Sequence, residues 1–146
     1  MNLRYGCILV LAVLMLGACG GGGDPGLYPG AEAGESQPAF MVLAGQIAEM
    51  STAEGVAEQF FGSAKPTIQL DGAKRGEWEL DTGYHTGDSV DEVGAWYESR
   101  LPAGWESRCY DNNRGGGYIV GKPGKTVILV SSDSQGQTWI LSVKSK

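Results

Sequence analysis

Four strand-like segments follow one another in the last third of the chain, and short turns separate them. They cover residues 105–110, 117–121, 126–131 and 137–144. The third segment is apolar on both faces, which is typical of a central strand, and the fourth places Trp139, Leu141 and Val143 on one face. Consecutive strands with short connections pair antiparallel. We therefore predict a meander sheet as the frame of the fold.

Two further strands are predicted earlier, at 66–70 and 77–81, around the turn signal Asp71-Gly72. In the second of them, Trp78 and Leu80 alternate with the acidic residues Glu77, Glu79 and Asp81. This alternation predicts one buried and one acidic face. Residues 82–87, which include His85, are predicted to form a loop.

Helix signals precede these strands. Residues 36–50 have apolar side chains at helical spacing, with Ser36 as a cap and Pro38 in the first turn. A capping box at 51–54 predicts a second helix that ends before Gly62, and Ser89 with Glu92 predicts a third. The chain is therefore predicted to be an α+β protein, with an antiparallel meander sheet of about five strands and helices packed on one face.

The N-terminus has the three-part layout of a secretory signal. Arg4 precedes the apolar run 7–16, and the small residues Gly17 and Ala18 precede Cys19. The run is shorter than the roughly 20 residues that a membrane-spanning helix needs. Leu16-Gly17-Ala18-Cys19 resembles the lipobox of the bacterial lipoprotein signal family. The resemblance implies that residues 1–18 are a removed signal peptide and that Cys19 becomes the lipidated N-terminus.

The mature chain divides into a glycine-rich tether at 19–30 and a single α+β domain at 31–146, with a helical pair at 36–62. An ordinary cleaved signal with a chance cysteine is the alternative to lipidation. In lipoprotein sorting, Gly20 after the lipidated cysteine favours the outer membrane, facing the periplasm, in a Gram-negative host. The lipid makes the membrane one expected partner, and an envelope protein or a glycan is the other.

The domain itself resembles a class of small exported α+β domains. The shared residues are Tyr28-Pro29-Gly30-Ala31, the aromatic helix segment 95–101 with Trp96-Tyr97, and the strand start Gly104-Trp105. The segment 36–62 would be an insertion in this class. The resemblance implies a fold and carries no common activity.

Charge is distributed unevenly along the chain, whose formal net charge is −6. Residues 20–64 hold six acidic and no basic residues, whereas 100–146 hold seven basic and three acidic ones. The net charge argues against nucleic-acid binding. The basic C-terminal third is suited to anionic lipid, peptidoglycan or an acidic partner, or is simply a solvated face. We expect no cofactor.

Chemical signals in the domain are sparse. Cys109 and His85 are the only possible thiol–imidazole pair, and Cys109 shares the face of Trp105, which favours an inert core thiol. Without a second cysteine in the domain, we expect no internal disulfide framework. Gly124-Lys125-Thr126 lacks the glycine and the helix of a phosphate-binding loop, so we interpret it as a hairpin turn.

Two polar groups remain as candidates. The acidic residues Glu77, Glu79 and Asp81, together with those that begin the third helix, offer oxygens for Ca²⁺ or acid–base chemistry, although capping already explains the helix-start acids. The polar, glycine-rich loop after the first C-terminal strand is the other candidate, as a binding surface. Its residues are Asp111, Asn112, Asn113, Arg114 and Tyr118.

These signals favour a membrane-anchored envelope lipoprotein with a non-enzymatic binding or scaffold domain. A small envelope hydrolase that uses Asp/Glu residues or Cys109 is an alternative. An inhibitor or immunity-type lipoprotein, with the Arg114 loop or the acidic strand face as its plug, is another. Cys19 is the predicted lipidation site, and no catalytic or metal-binding residue is assigned.

Overall fold

The computed structural model describes residues 23–50, 55–62, 68–69, 78–111 and 116–146. Three helices lie within these ranges: α1 (Ser36–Met50), α2 (Val56–Phe61) and α3 (Val90–Glu98). The strands are β1 (Glu32–Ala33), β2 (Ile68–Gln69), β3 (Trp78–Thr86), β4 (Glu106–Tyr110), β5 (Gly117–Lys122), β6 (Thr126–Ser132) and β7 (Thr138–Ser145). None of the helices in these ranges has the length and apolar character needed to cross a bilayer.

Six of the strands form a continuous antiparallel ladder in the order β1-β3-β7-β6-β5-β4. The α+β class and the antiparallel pairing are therefore confirmed, with six strands in the ladder instead of about five. β6 lies between β5 and β7, as its apolar residues on both faces predicted. The four C-terminal strands are the meander that the turns between them indicated.

Helices cover both faces of the sheet. On one face, α1 and α2 pack on a core that includes Ile119, Leu129 and Leu141. On the other face, Val93 and Tyr97 of α3 pack on a second core formed by Val120, Ile128, Val130 and Ile140. The prediction that the helices share one face is therefore wrong. The reason lies in the central strands, whose apolar residues on both faces need two covering layers.

Local signals set the helix boundaries well. α1 begins and ends where the sequence predicted. The capping box of α3 is formed, because the Ser89 hydroxyl accepts from the Glu92 N–H and the Glu92 carboxylate accepts from the Ser89 N–H, at 3.2 and 2.9 Å. α2 is also present and ends at Gly62, while the capping box predicted at 51–54 lies outside the described residues.

The first half of the sheet departs from the sequence-based prediction. β3 continues through residues 82–86, so His85 lies on a strand opposite Trp139 of β7 and not in a loop. A register shift between Leu80 and Thr82 interrupts its alternation. β2 pairs with β3 in parallel, and the two therefore do not form the hairpin that Asp71-Gly72 predicted.

Candidate functional site

The segment 23–31, which we call the strap, joins the predicted tether to the domain and is fixed to α3 through Tyr28. The Tyr28 hydroxyl donates to a carboxylate oxygen of Asp88 at 2.8 Å, and this bond raises the pKa of Tyr28. The ring of Tyr28 meets Trp96 edge-on, with 5.5 Å between the ring centroids. The guanidinium of Arg100 lies over the Trp96 ring, 4.6 Å from the ring centroid. These contacts hold the strap against the α3 side of the domain.

A groove of about 200 Å³ lies between the strap and the α3 face of the sheet. Leu27, Ile128 and Ile140 supply its apolar wall, and the carboxylates of Asp24 and Asp81 lie at it. Tyr97 also lines the groove: burial raises its pKa to about 12, although a hydrogen bond from the Tyr28 backbone lowers it. The Asp81 carboxylate pairs with the ammonium of Lys144 at 2.7 Å. Asp81 is thus paired with a residue outside the groove lining, and the Asp24 carboxylate accepts from the Gly26 N–H.

A second and larger groove, of about 460 Å³, lies between α1 and the turn that connects β6 to β7. Its lining residues are Met41, Val42, Gly45, Gln46, Ser132, Asp133 and Ser134. Met41 is 66% exposed, more than Leu27 and Leu101, the other exposed large apolar side chains of the described residues. At the base, the Gln46 side-chain oxygen accepts from the Tyr110 hydroxyl at 2.6 Å. An apolar helix surface beside a polar turn is a geometry that suits a protein or peptide partner.

The turn that borders this groove is fixed by Asp133. One oxygen of its carboxylate accepts from the backbone N–H groups of Gln135 and Gln137, at 2.8 and 3.0 Å. The other oxygen accepts from the indole N–H of Trp139 at 3.0 Å. Partial burial favours a higher pKa for Asp133, but these hydrogen bonds to the ionised form prevail and the pKa is lowered. The Asp133 carboxylate therefore stabilises the turn between β6 and β7.

The loop predicted as a binding surface is only partly described. Asp111 is exposed at the end of β4, whereas Asn112, Asn113 and Arg114 lie outside the described residues. Tyr118 lies on β5 with its ring against Gly94 of α3, and its hydroxyl donates to Asp91 at 3.3 Å. Burial raises the pKa of Tyr118 to about 12. Asp111 thus lies exposed just after β4, two residues beyond the strand partner of Tyr118, and the ring of Tyr118 is half-buried under α3.

The possible thiol–imidazole pair is not brought together. His85 lies on β3 and Cys109 on β4, and β7, β6 and β5 lie between them. Four strand spacings of about 4.8 Å put the two residues roughly 19 Å apart. The His85 ring contacts Gln137 through its Nδ1 at 3.1 Å and packs near Trp139. This separation is too large for one group to activate the other.

Cys109 is half-buried and disulfide-bonded. The prediction of an inert core thiol is therefore wrong. The prediction that the domain has no internal disulfide framework is not contradicted, because residues 31–146 hold no second cysteine. A disulfide sulfur is not a thiolate nucleophile, so Cys109 has no such role in this state. The chain has two other cysteines, Cys7 and Cys19, both outside the described residues.

The acidic residues also have structural partners. Asp81 pairs with Lys144, Asp88 accepts from Tyr28, Asp91 accepts from Tyr118, and Glu92 completes the capping box. Glu77 lies outside the described residues. Within the described ranges, no three His, Cys, Asp or Glu side chains are grouped closely enough to hold a metal ion.

Gly124-Lys125-Thr126 forms the turn between β5 and β6, as predicted. Gly124 has a φ of 73°, and its N–H donates to the carbonyl of Phe60 at the end of α2, at 2.9 Å. A strand follows this turn, so no helix N-terminus is present to bind phosphate.

Cys19, the predicted lipidation site, lies outside the described residues. No protein-family model, curated protein or solved structure matches this chain. The functional argument therefore rests on the residues themselves.

Proposed function

We propose that this chain is a lipid-anchored protein of the bacterial cell envelope whose domain is a non-enzymatic binding or scaffold module. The observation that carries the proposal is the order of Arg4, the apolar run 7–16, Gly17-Ala18 and Cys19. A thioether-linked diacylglyceryl group with an amide-linked acyl chain holds a protein at a bilayer far more firmly than one chain does. By the resemblance to lipoprotein sorting signals, Gly20 favours the outer membrane, facing the periplasm, in a Gram-negative host.

The strap supports the anchoring half of the proposal. A lipoprotein needs an unstructured connection between its acylated residue and its folded domain, and Gly20–Gly23 has the composition for it. The chain joins the domain immediately afterwards, at Tyr28.

The groove beside α1 supports the binding half. Its wall contains an exposed methionine, and methionine side chains adapt to varied apolar partners. We propose an envelope protein as the partner, with the α1 groove as its contact surface.

A disulfide between Cys109 and Cys19 would occupy the sulfur that lipidation alkylates, whereas a disulfide between Cys109 and Cys7 would leave that sulfur free. Lipidation alkylates the Cys19 sulfur, and signal removal discards Cys7 with residues 1–18. A disulfide between Cys109 and either of these residues is therefore an alternative to the processed state.

Labelling of cells with radioactive or clickable palmitate tests the anchor, with variants in which one cysteine at a time is replaced. Cys19→Ser is expected to abolish incorporation of labelled palmitate, while Cys7→Ser and Cys109→Ser retain it. These two variants are matched controls, because each removes one thiol and leaves the lipobox cysteine. Retention of label in Cys19→Ser, or its loss in Cys109→Ser alone, would contradict the proposal.

Photocrosslinking in the envelope tests the partner surface. A benzophenone amino acid at Met41 is expected to give one discrete adduct, because this position lines the groove. Leu101 is the matched control, since it is also a large apolar residue with substantial exposure, 37%, but lies beyond the end of α3. The same adduct from both positions, or adducts from neither, would reject the α1 groove as the binding surface.

A further inference from the structure

The two ends of the sheet differ in charge. One end, which we call the basic end, is formed by the β5–β6 turn, the end of β7 and the residues after α3. Its described cations are Arg100, Lys122, Lys125, Lys144 and Lys146. Carboxylates also lie there, including Asp24, Glu79, Asp81, Glu98, Glu106 and the C-terminus, so the charges roughly balance.

The opposite end, which we call the acidic end, holds the β6–β7 turn and the start of α3. Thr86 pairs with Thr138, and Tyr110 pairs with Gly117. The last residues of β3 and β4 and the first residues of β5 and β7 therefore lie at this end of the sheet. Its described acidic residues include Asp88, Asp91, Glu92, Asp111 and Asp133. Among the described residues, no lysine or arginine lies at this end, and Arg114, between β4 and β5 in the sequence, is outside them. The described part of the domain therefore has an electrostatic polarity along its strands.

From Tyr28 back to Asp24, the strap runs from the acidic end toward the basic end. Tyr28 is held at Asp88, which follows the last residues of β3. Four residues earlier in the chain, Asp24 lies at the groove lined by Asp81 and Ser142. Asp24 also contributes to the raised pKa of Lys144, after the larger effects of its Asp81 partner. Read toward the N-terminus, the chain thus leaves the domain in the direction of the basic end.

The remaining connection to the anchor is short. Five peptide units join Cys19 to Asp24, which allows a span of at most about 17 Å. β7, with its eight residues, extends for about 26 Å between the two ends. A tether shorter than the sheet leaves the surface around Asp24 next to the bilayer and restricts how far the domain can turn.

We infer that the basic end faces the bilayer and that the acidic end, with the α1 groove and the β6–β7 turn, faces away from it. The inference rests on the proposed lipidation of Cys19. Anionic headgroups favour this orientation, because they repel the acidic end more strongly than the basic end, where positive and negative charges roughly balance. The proposed partner surface is then presented to the envelope space and not to the membrane.

Fluorescence quenching by headgroup-labelled nitroxide lipids tests the orientation. Ser145→Cys at the basic end and Ser134→Cys at the acidic end are matched, since both replace an exposed serine. Each is made in a Cys109→Ser background, labelled with one fluorophore, and placed as the lipidated protein in vesicles that contain phosphatidylglycerol. We expect quenching several-fold stronger at residue 145. Equal quenching, or stronger quenching at residue 134, would overturn the inference.

A second anchor separates the failure of this inference from the failure of lipidation. The same labelled pair, with a hexahistidine segment in place of residues 1–19, is bound to vesicles with nickel-chelating lipid. The difference between residues 145 and 134 is expected to persist, because the strap and not the lipid sets the direction. Insertion of a long Gly/Ser segment between Gly23 and Asp24 is expected to abolish the difference. A difference that survives the insertion would show that the strap does not orient the domain.

Discussion

At the scale of single residues, Gly94 of α3 packs closely on the ring of Tyr118. A Cβ atom at Gly94 would lie 2.4 Å from the Tyr118 ring, so only a glycine lets α3 approach β5 this closely. Gly45 of α1 is also a helical glycine, but nothing lies within 4 Å of a Cβ atom built there. The two glycines therefore have opposite roles in stability.

Gly94→Ala is expected to lower the free energy of unfolding by about 1–3 kcal/mol, because α3 must move away from the sheet. Gly45→Ala is its control and is expected to be neutral or to stabilise by up to about 1 kcal/mol, since alanine favours the helix. Urea unfolding followed by tryptophan fluorescence measures both. Equal effects from the two substitutions would contradict the packing described for α3.

Asp133 gives stability a dependence on pH. Its pKa is lowered in the folded state, so its contribution is complete above the unfolded value of about 3.9 and is lost as the pH falls through the folded pKa. Asp133→Asn is expected to be less stable than the parent at pH 7 and to lose less stability between pH 5 and pH 3.

Thermal unfolding at a series of pH values measures this difference. Asp111→Asn is the control, because Asp111 is an exposed aspartate at the same end of the sheet. Curves for Asp133→Asn that run parallel to those of the parent protein at all pH values would exclude Asp133 as the source.

At the scale of elements, two tyrosine–aspartate bonds hold the start of α3. Asp88, just before the helix, accepts from Tyr28 of the strap, and Asp91, in the first turn, accepts from Tyr118 of the sheet. Only the first bond joins the strap, so a substitution at Asp88 loosens the strap without any change in the strap's own sequence.

Asp88→Ala is expected to increase chymotrypsin cleavage after Leu27 several-fold, because the neighbouring Tyr28 hydroxyl loses its acceptor and the strap is held less firmly. Asp91→Ala is the matched control and should leave cleavage after Leu27 unchanged. Timed digestion with mass analysis of the fragments distinguishes them. Equal acceleration in both variants would show that loosening α3 as a whole, and not the strap bond, exposes the site.

The elements also show which structural features the sequence predicts. The bounds of α1 and the cap of α3 follow from side chains a few residues apart, and local patterns predict them well. The extension of β3 to Thr86 was missed, because residues 82–86 include a glycine and lack clear alternation. The parallel pairing of β2 was also missed, since it depends on which distant strand is available.

The candidate site was harder to predict than the fold. The α1 groove forms between a helix and a turn about 90 residues later in the chain, and no local pattern relates Met41 to Asp133. The sequence of α1 does not predict which of its apolar residues is exposed, because the helix is apolar on nearly every side. The docking of Tyr28 is easier to predict from the sequence than the α1 groove, since an aromatic residue before Pro29-Gly30 is unusual in a flexible tether.

At the scale of the whole molecule, the proposed anchor, the strap and the distribution of charge favour one orientation of the domain. The proposed lipidation would hold the chain at the membrane, and Tyr28 fixes the strap to the domain. The proposed attachment to the membrane depends on the chemistry of one sulfur atom, that of Cys19.

Mass spectrometry of the N-terminal peptide from membrane-extracted protein tests this chemistry most directly. The account predicts a chain that begins at Cys19 and carries a diacylglyceryl group on its sulfur. A peptide that still contains residues 1–18, or an unmodified Cys19, whether joined to Cys109 by a disulfide or not, would contradict it.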